Sequence, residues 1–275
     1  MAEEKPDELL RAAVEAVEAL ARRATVPLIV EKGEEGESVG TGTLFAVKED
    51  HFIITAEHVG RYIDSYGLGV PCGPDRQEIW FLGSGVVART ERYDVAVYRI
   101  DDPESIAQLK QGWEFLGLDN VCVDAPTDIE TNFFLHGYPT KLSPKIDSAI
   151  RATPVALVTT LYTGPTDNFP IASRSYDPRV DLLLNHRVRA IDPGGREVDV
   201  LELKGISGCS VWTVAPPHDW NARRLWNARQ AAKIVAVETS IRASEWMRCT
   251  RWWVVLEAIR SLRTSERDLC FEAAP

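Results

Sequence analysis

From Val26 to Thr239 the chain is divided into eleven short apolar runs: VPLIVE, TGTLFAV, HFIITAE, EIWFLG, DVAVYRI, NFFLHGYP, VALVTTLY, VDLLLN, VDVLEL, SVWTVA and KIVAVET. Each is rich in Val, Ile, Phe, Tyr or Thr, and Gly, Pro, Asp and Asn separate them. Runs this short cannot close several helical turns, and their β-branched and aromatic side chains suit a pleated surface. So many strands with such frequent turn signals predict an all-β barrel or sandwich. Two segments fall outside the pattern. Residues 7–23 place Leu10, Val14, Val17 and Leu20 at helical spacing, with Asp7 and Glu8 at the positive end of the helix dipole. The tail WWVVLEAIRSLRT reads as a strand end running into a short helix.

The balance of charge excludes some classes of function. With 41 acidic and 31 basic residues the net charge is -10, the opposite of a nucleic-acid footprint. No apolar stretch is long enough to span a bilayer. The amino-terminal segment is acidic and lacks an uninterrupted apolar core, so it does not read as a secretory signal. Five scattered cysteines form no C-x-x-C pair, and reduced thiols in a cytoplasm account for them most simply. These features give the expectation of a cytoplasmic protein.

Three sites bear chemistry. GISGCS, residues 205–210, sets Ser207 between glycines, a pattern that serves equally for a tight turn. A serine hydroxyl needs an adjacent base, and the base needs an orienting acid. Of the five histidines, His58 stands at the end of a strand in ITAEHV, and Asp94 opens the strand DVAV. Taken singly, His58 reads as a surface or structural residue and Asp94 as a strand cap. Taken together they give the order His, Asp, Ser along an all-β chain, which is the order of one of the known triads and not that of the α/β-hydrolases.

With GTGTLFAV, ITAEHV, DVAV, HGYP and GISG spread over residues 40–208, the chain resembles the trypsin-like (chymotrypsin-fold) serine peptidases of the leaderless bacterial kind. The resemblance implies a fold of two six-stranded antiparallel β-barrels with the active site between them. An amphipathic helix over residues 1–25 would precede the peptidase domain of 26–275, and a short helix would follow the barrels. It implies Ser207 as nucleophile, His58 as base and Asp94 as orienting acid. The amides of Gly205 and Ser207 would form the oxyanion hole, and Leu201, Val237, Glu238 and Thr239 would line the substrate pocket. It also implies a protein or peptide substrate, no metal and no organic cofactor, in a bacterial regulatory or defence setting.

Several departures are visible. Ile206 replaces the Asp that pairs with a freshly cut amino terminus, so activation of that kind is not expected. Leu201 is not the Asp that selects basic residues, which favours an apolar or small P1 side chain unless Glu238 points into the pocket. Glu57, before His58, is either solvated or raises the His58 pKa through its charge. Residues 216–230, PPHDWNARRLWNARQ, carry two tryptophans and three arginines. They form either a surface cover or a docking loop, and the amino-terminal helix is a second candidate face for a regulatory partner. Two other classes remain open: a catalytically silent trypsin-fold binding module, and an esterase-like or cysteine-dependent hydrolase using Cys209.

Overall fold

The computed structural model describes residues 6–272 apart from 33–34, 84–86, 130, 144, 147–148, 151, 167–174, 187–188, 192–196, 200–202, 215–226 and 243–244. Helix α1, Pro6–Ala24, leads directly into β1, Thr25–Lys32. Next come β2 (Glu35–Val47), β3 (Asp50–Thr55), helix α2 (Glu57–Tyr66), β4 (Leu68–Cys72), β5 (Glu78–Leu82), β6 (Val87–Thr90) and β7 (Val95–Ile100). These seven strands make one antiparallel sheet in the order β5-β4-β1-β2-β3-β7-β6. Helix α3, Pro103–Gly112, follows.

The second half contains β8 (Asn132–Gly137), the short β9 (Lys145–Ile146) and β10 (Ala149–Ile150), β11 (Val155–Thr159) and β12 (Asp181–Asn185). It continues with β13 (Arg189–Ile191), β14 (Glu197–Asp199), β15 (Ser210–Val214), β16 (Lys233–Arg242) and β17 (Trp246–Arg251). Six of these form a sheet in the order β11-β8-β15-β16-β17-β12, while β9 with β10 and β13 with β14 are separate pairs. A Leu161–Leu184 bridge draws the chain just past β11 onto β12, so the two edges of this sheet meet. The Tyr162 N–H donates to the Leu183 carbonyl there and the Asn185 N–H to the Thr160 carbonyl, both at 2.9 Å. The first sheet has seven strands rather than the six expected, and among its described residues no such ladder joins β5 to β6.

Strand alternation explains why the apolar runs are nearly continuous. On β2 and β3, Leu44 and Ile53 face a core inside the first sheet, while Phe45, Phe52 and Ile54 face a shared core. On β8 and β15, Phe133, Leu135 and Val211 fill a core inside the second sheet, while Phe134 and Trp212 turn to the shared one. Both faces of these strands are therefore buried, which calls for apolar residues at every position. The shared core is closed by Val17, Leu20 and Ala21 of α1 and by Trp252, Val255 and Ile259 of the final helix. Trp252 sets its ring edgewise on Phe45, centroids 5.5 Å apart. Trp252→Ala should cost about 3–5 kcal/mol of stability, measurable by urea unfolding.

Three helical segments depart from the sequence reading. Residues 57–66 and 103–112 are helical, and the carboxyl-terminal helix is long, Trp252–Glu272, with both tryptophans of WWVV already inside it. The protein is thus mostly β, two antiparallel sheets with helices beside them. No helix among the described residues is long and apolar enough to cross a membrane.

Candidate active site

Antiparallel pairing of β3 with β7 sets Thr55 opposite Ala96. Continuing past Thr55 and stepping back before Ala96 leads to the same edge of the sheet, and His58 and Asp94 meet there. His58 sits in the first turn of α2, which is anchored by Val59 and Ile63 in the core of the first sheet. Asp94 closes a 3-10 turn in the left-handed region, φ 54°, which Asp tolerates better than most residues. Its carboxylate accepts the His58 backbone N–H at 2.9 Å and faces His58 Nδ1 at 2.9 and 3.1 Å. Held this way, the imidazole carries its proton on Nδ1 and leaves Nε2 as the acceptor. His58 is 47% and Asp94 31% exposed, so the pair can be reached from solvent. Burial works to lower the His58 pKa. The Asp94 hydrogen bond and charge outweigh it, with the Glu238 and Glu57 charges adding, and the pKa ends above the ordinary histidine value.

Ser207 comes from the other sheet, three residues before β15, and the turn that carries it is seated on the first sheet by two threonines. Thr41 Oγ1 donates to the Gly205 carbonyl at 2.8 Å and accepts the Tyr138 N–H at 2.9 Å. The Thr41 N–H donates to the Ser207 carbonyl at 3.0 Å. Thr55 Oγ1 donates to the Thr41 carbonyl at 2.8 Å. Gly208, φ +95°, lies against Thr55 and the Thr41 carbonyl, where a side chain has no room. Since Thr55 is three residues before His58, this joint brings the serine turn beside the histidine. A further tie, Thr250 Oγ1 to the Tyr93 carbonyl at 2.6 Å, holds the Asp94 turn to β17.

Among the described residues no hydrogen bond joins Ser207 to His58, and the Gly205 and Ser207 amides donate to no backbone carbonyl. A third group, Glu238, on β16 at a register shift against β17, interacts with both Ser207 and His58. Its side chain is wholly buried and neither oxygen has a hydrogen-bond partner of ordinary geometry. Burial pushes its carboxyl up to about 8, while the His58 charge and the adjacent Ser207 hydroxyl pull the other way.

The remaining sequence candidates fall in different places. Val237 is buried in the shared core and Thr239 is buried with its hydroxyl donating to the Arg248 carbonyl at 3.2 Å. Leu201 lies outside the described residues, as do residues 216–226 of the tryptophan-rich segment and His218. Within the remainder of that segment, the Arg229 guanidinium pairs with Glu114. Ile206 fills core beside Gly137. Cys209 is wholly buried, and burial raises its thiol well above the ordinary value, which argues against a thiolate nucleophile. Glu57 is 3% exposed and holds Arg61 Nε at 2.8 and 3.0 Å, so it is not solvated. Among the described residues no group of three or more His, Cys, Asp or Glu side chains could hold a metal ion.

Sequence reasoning missed Thr41 and Thr55 as seats for the serine turn, although both lie inside motifs it singled out. It also passed over His136, which is buried with both ring nitrogens unpartnered. Burial, with the Arg22 and Arg76 charges adding, lowers its pKa to about 3. Between that value and the ordinary 6.5 of an unfolded chain, the folded form binds fewer protons than the unfolded. Stability therefore falls as pH drops through this window, by up to about 1.4 kcal/mol per pH unit. His136→Phe should shrink the fall in Tm between neutral pH and about pH 4.

No known protein family matches the chain, and no curated protein matches it. A solved structure, from work on aromatic interactions in the coupled folding and binding of the intrinsically disordered Sesbania mosaic virus VPg protein, aligns at 11% identity. It has a TM-score of 0.43 and covers 85% of this chain and 87% of that chain. A likeness at that level carries no argument about function.

Proposed function

We propose that the chain is a serine endopeptidase of the trypsin-like kind, with each sheet curled round its own core as one of two barrels. The observation that carries this reading is the His58–Asp94 pair, which leaves Nε2 free beside the Ser207 turn. In the proposed reaction Ser207 Oγ attacks the scissile carbonyl carbon while His58 Nε2 takes the hydroxyl proton. Asp94 keeps the proton on Nδ1 and stabilises the imidazolium that forms. The unoccupied Gly205 and Ser207 amides receive the oxyanion. His58 then protonates the departing amine, and water attacks the acyl-serine with His58 again as base. The missing Ser207–His58 hydrogen bond is compatible with this, because such bonds often tighten only with substrate bound. By analogy, the substrate is another protein whose state a limited cut changes.

The second reading, a silent barrel that only binds, is favoured by the same missing hydrogen bond. A fluorophosphonate probe separates the two. Labelling of the full chain at Ser207, lost in Ser207→Ala and in His58→Ala, supports the peptidase. A folded protein that the probe never labels supports the binding module.

A further inference from the structure

The Glu238 carboxyl is wholly buried and neither oxygen has a hydrogen-bond partner of ordinary geometry, which is costly for the neutral form and far more so for the ionised one. Glu238 is held in that position by its own backbone: the Gly208 N–H donates to its carbonyl at 2.8 Å and its N–H donates to the Cys209 carbonyl at 2.9 Å. The titratable and polar groups near enough to act on it are His58 from α2, Asp94 from the turn before β7, Ser207 and the Cys209 thiol from the serine turn, and the Cys249 thiol from β17. Both thiols are buried and uncharged. The position does not suit an anchor for a basic P1 side chain. A carboxyl that adjoins Ser207 lies too near the attacked carbonyl to meet the far end of a lysine or arginine.

Resting on the reading of Ser207 as nucleophile and His58 as base, we propose that Glu238 is a positioning residue for Ser207 and permits attack only while its own carboxyl carries a proton. A neutral carboxyl has an O–H to donate to a Ser207 Oγ lone pair, which leaves the serine proton for His58 Nε2. An ionised carboxylate only accepts. It draws the serine proton to itself, and its charge beside His58 favours the imidazolium, which is no base. The pH dependence then has two limbs. The rate rises as His58 loses its proton, above the ordinary histidine value, and falls as Glu238 loses its own, which burial delays to about 8. The β16–β17 register shift at this residue is the kind of local irregularity that re-aims a side chain at a working site.

The test is the rate of fluorophosphonate labelling of the full chain from about pH 6 to about pH 10, for the unaltered protein, Glu238→Gln and Glu238→Met, with thermal melts as a check on folding. Expected is a fall of roughly tenfold or more on the alkaline side for the unaltered protein, and no such fall in Glu238→Gln or Glu238→Met. The height of a variant's profile is not the readout; its shape is. An unaltered protein without the alkaline fall, or a folded variant that keeps it, overturns the proposal. Should neither variant fold, carbon NMR of carboxyl-labelled glutamate in the unaltered protein decides: a Glu238 already ionised at about pH 6 overturns it. Labelling that is absent at every pH, or that survives Ser207→Ala, removes the peptidase reading itself and is recognisable as that separate failure.

Discussion

Ser207→Ala is expected to lower peptide-bond cleavage on the order of 10⁴-fold or more and to leave the protein folded. The hydroxyl is lost, but the turn that bears it is set by backbone contacts that alanine keeps: Thr41 N–H on the Ser207 carbonyl and Gly208 N–H on the Glu238 carbonyl. His58→Ala should be about as damaging, since the hydroxyl then has no base. The double variant should be little worse than either single one, because in the proposed reaction the two groups act as a unit. Asp94→Asn removes the charge that favours Nδ1–H on His58 and invites the other tautomer, so it too should cost on the order of 10⁴-fold. Steady-state cleavage of a peptide library by the four variants measures all of this. Near-normal turnover by Ser207→Ala, or additive losses in the double variant, would sink the assignment.

The strands were legible because their residue types leave little choice, and ten of the eleven runs coincide with strands wholly or in large part. VDVLEL is the remainder: only its first residues fall in β14, and 200–202 lie outside the described residues. Helix α3 had a readable signal in DDPES, with Asp102 accepting the Glu104 and Ser105 amides and Pro103 at the first turn. Helix α2 had almost none. Gly60, Tyr62 and Ser65 weaken its propensity, and the burial of Val59 and Ile63 against the sheet, with the Glu57–Arg61 pair, offsets this. Its presence matters, because the helical first turn is what points both the backbone N–H and Nδ1 of His58 at one carboxylate.

The candidate site divides along the same physical line. His58 and Asp94 were legible from their places at two strand ends, because neighbouring antiparallel strands bring such ends together. The seating of Ser207 was not, since it depends on Thr41 and Thr55 contacting residues more than 150 positions away. Neither was the burial of Glu238, because a carboxylate in an apolar strand does not announce whether it is exposed to solvent or wholly buried.

Gly208→Ala should damage both stability and labelling, and it tests whether that inter-sheet joint positions Ser207. A Cβ there would press into the Thr41 carbonyl oxygen and Thr55 Oγ1, held by the pairing of Thr41 with β1, by the pairing of Thr55 with β7 and by the hydrogen bond between them. The backbone, at φ +95°, is also in a region that costs an alanine about 1–2 kcal/mol. Overpacking adds about 1–3 kcal/mol. Relief requires the serine turn to lift from the first sheet, and displacement on the order of 1 Å is enough to cost about 10²-fold in rate. Gly67→Ala is the matched control: its φ is +81°, but nothing lies within 4 Å of its Cβ position. That variant should show the conformational cost alone, a lower Tm with the labelling rate unchanged. If Gly208→Ala behaves the same way, the turn is not held by this joint and the Thr41–Thr55 seat has no part in presenting Ser207.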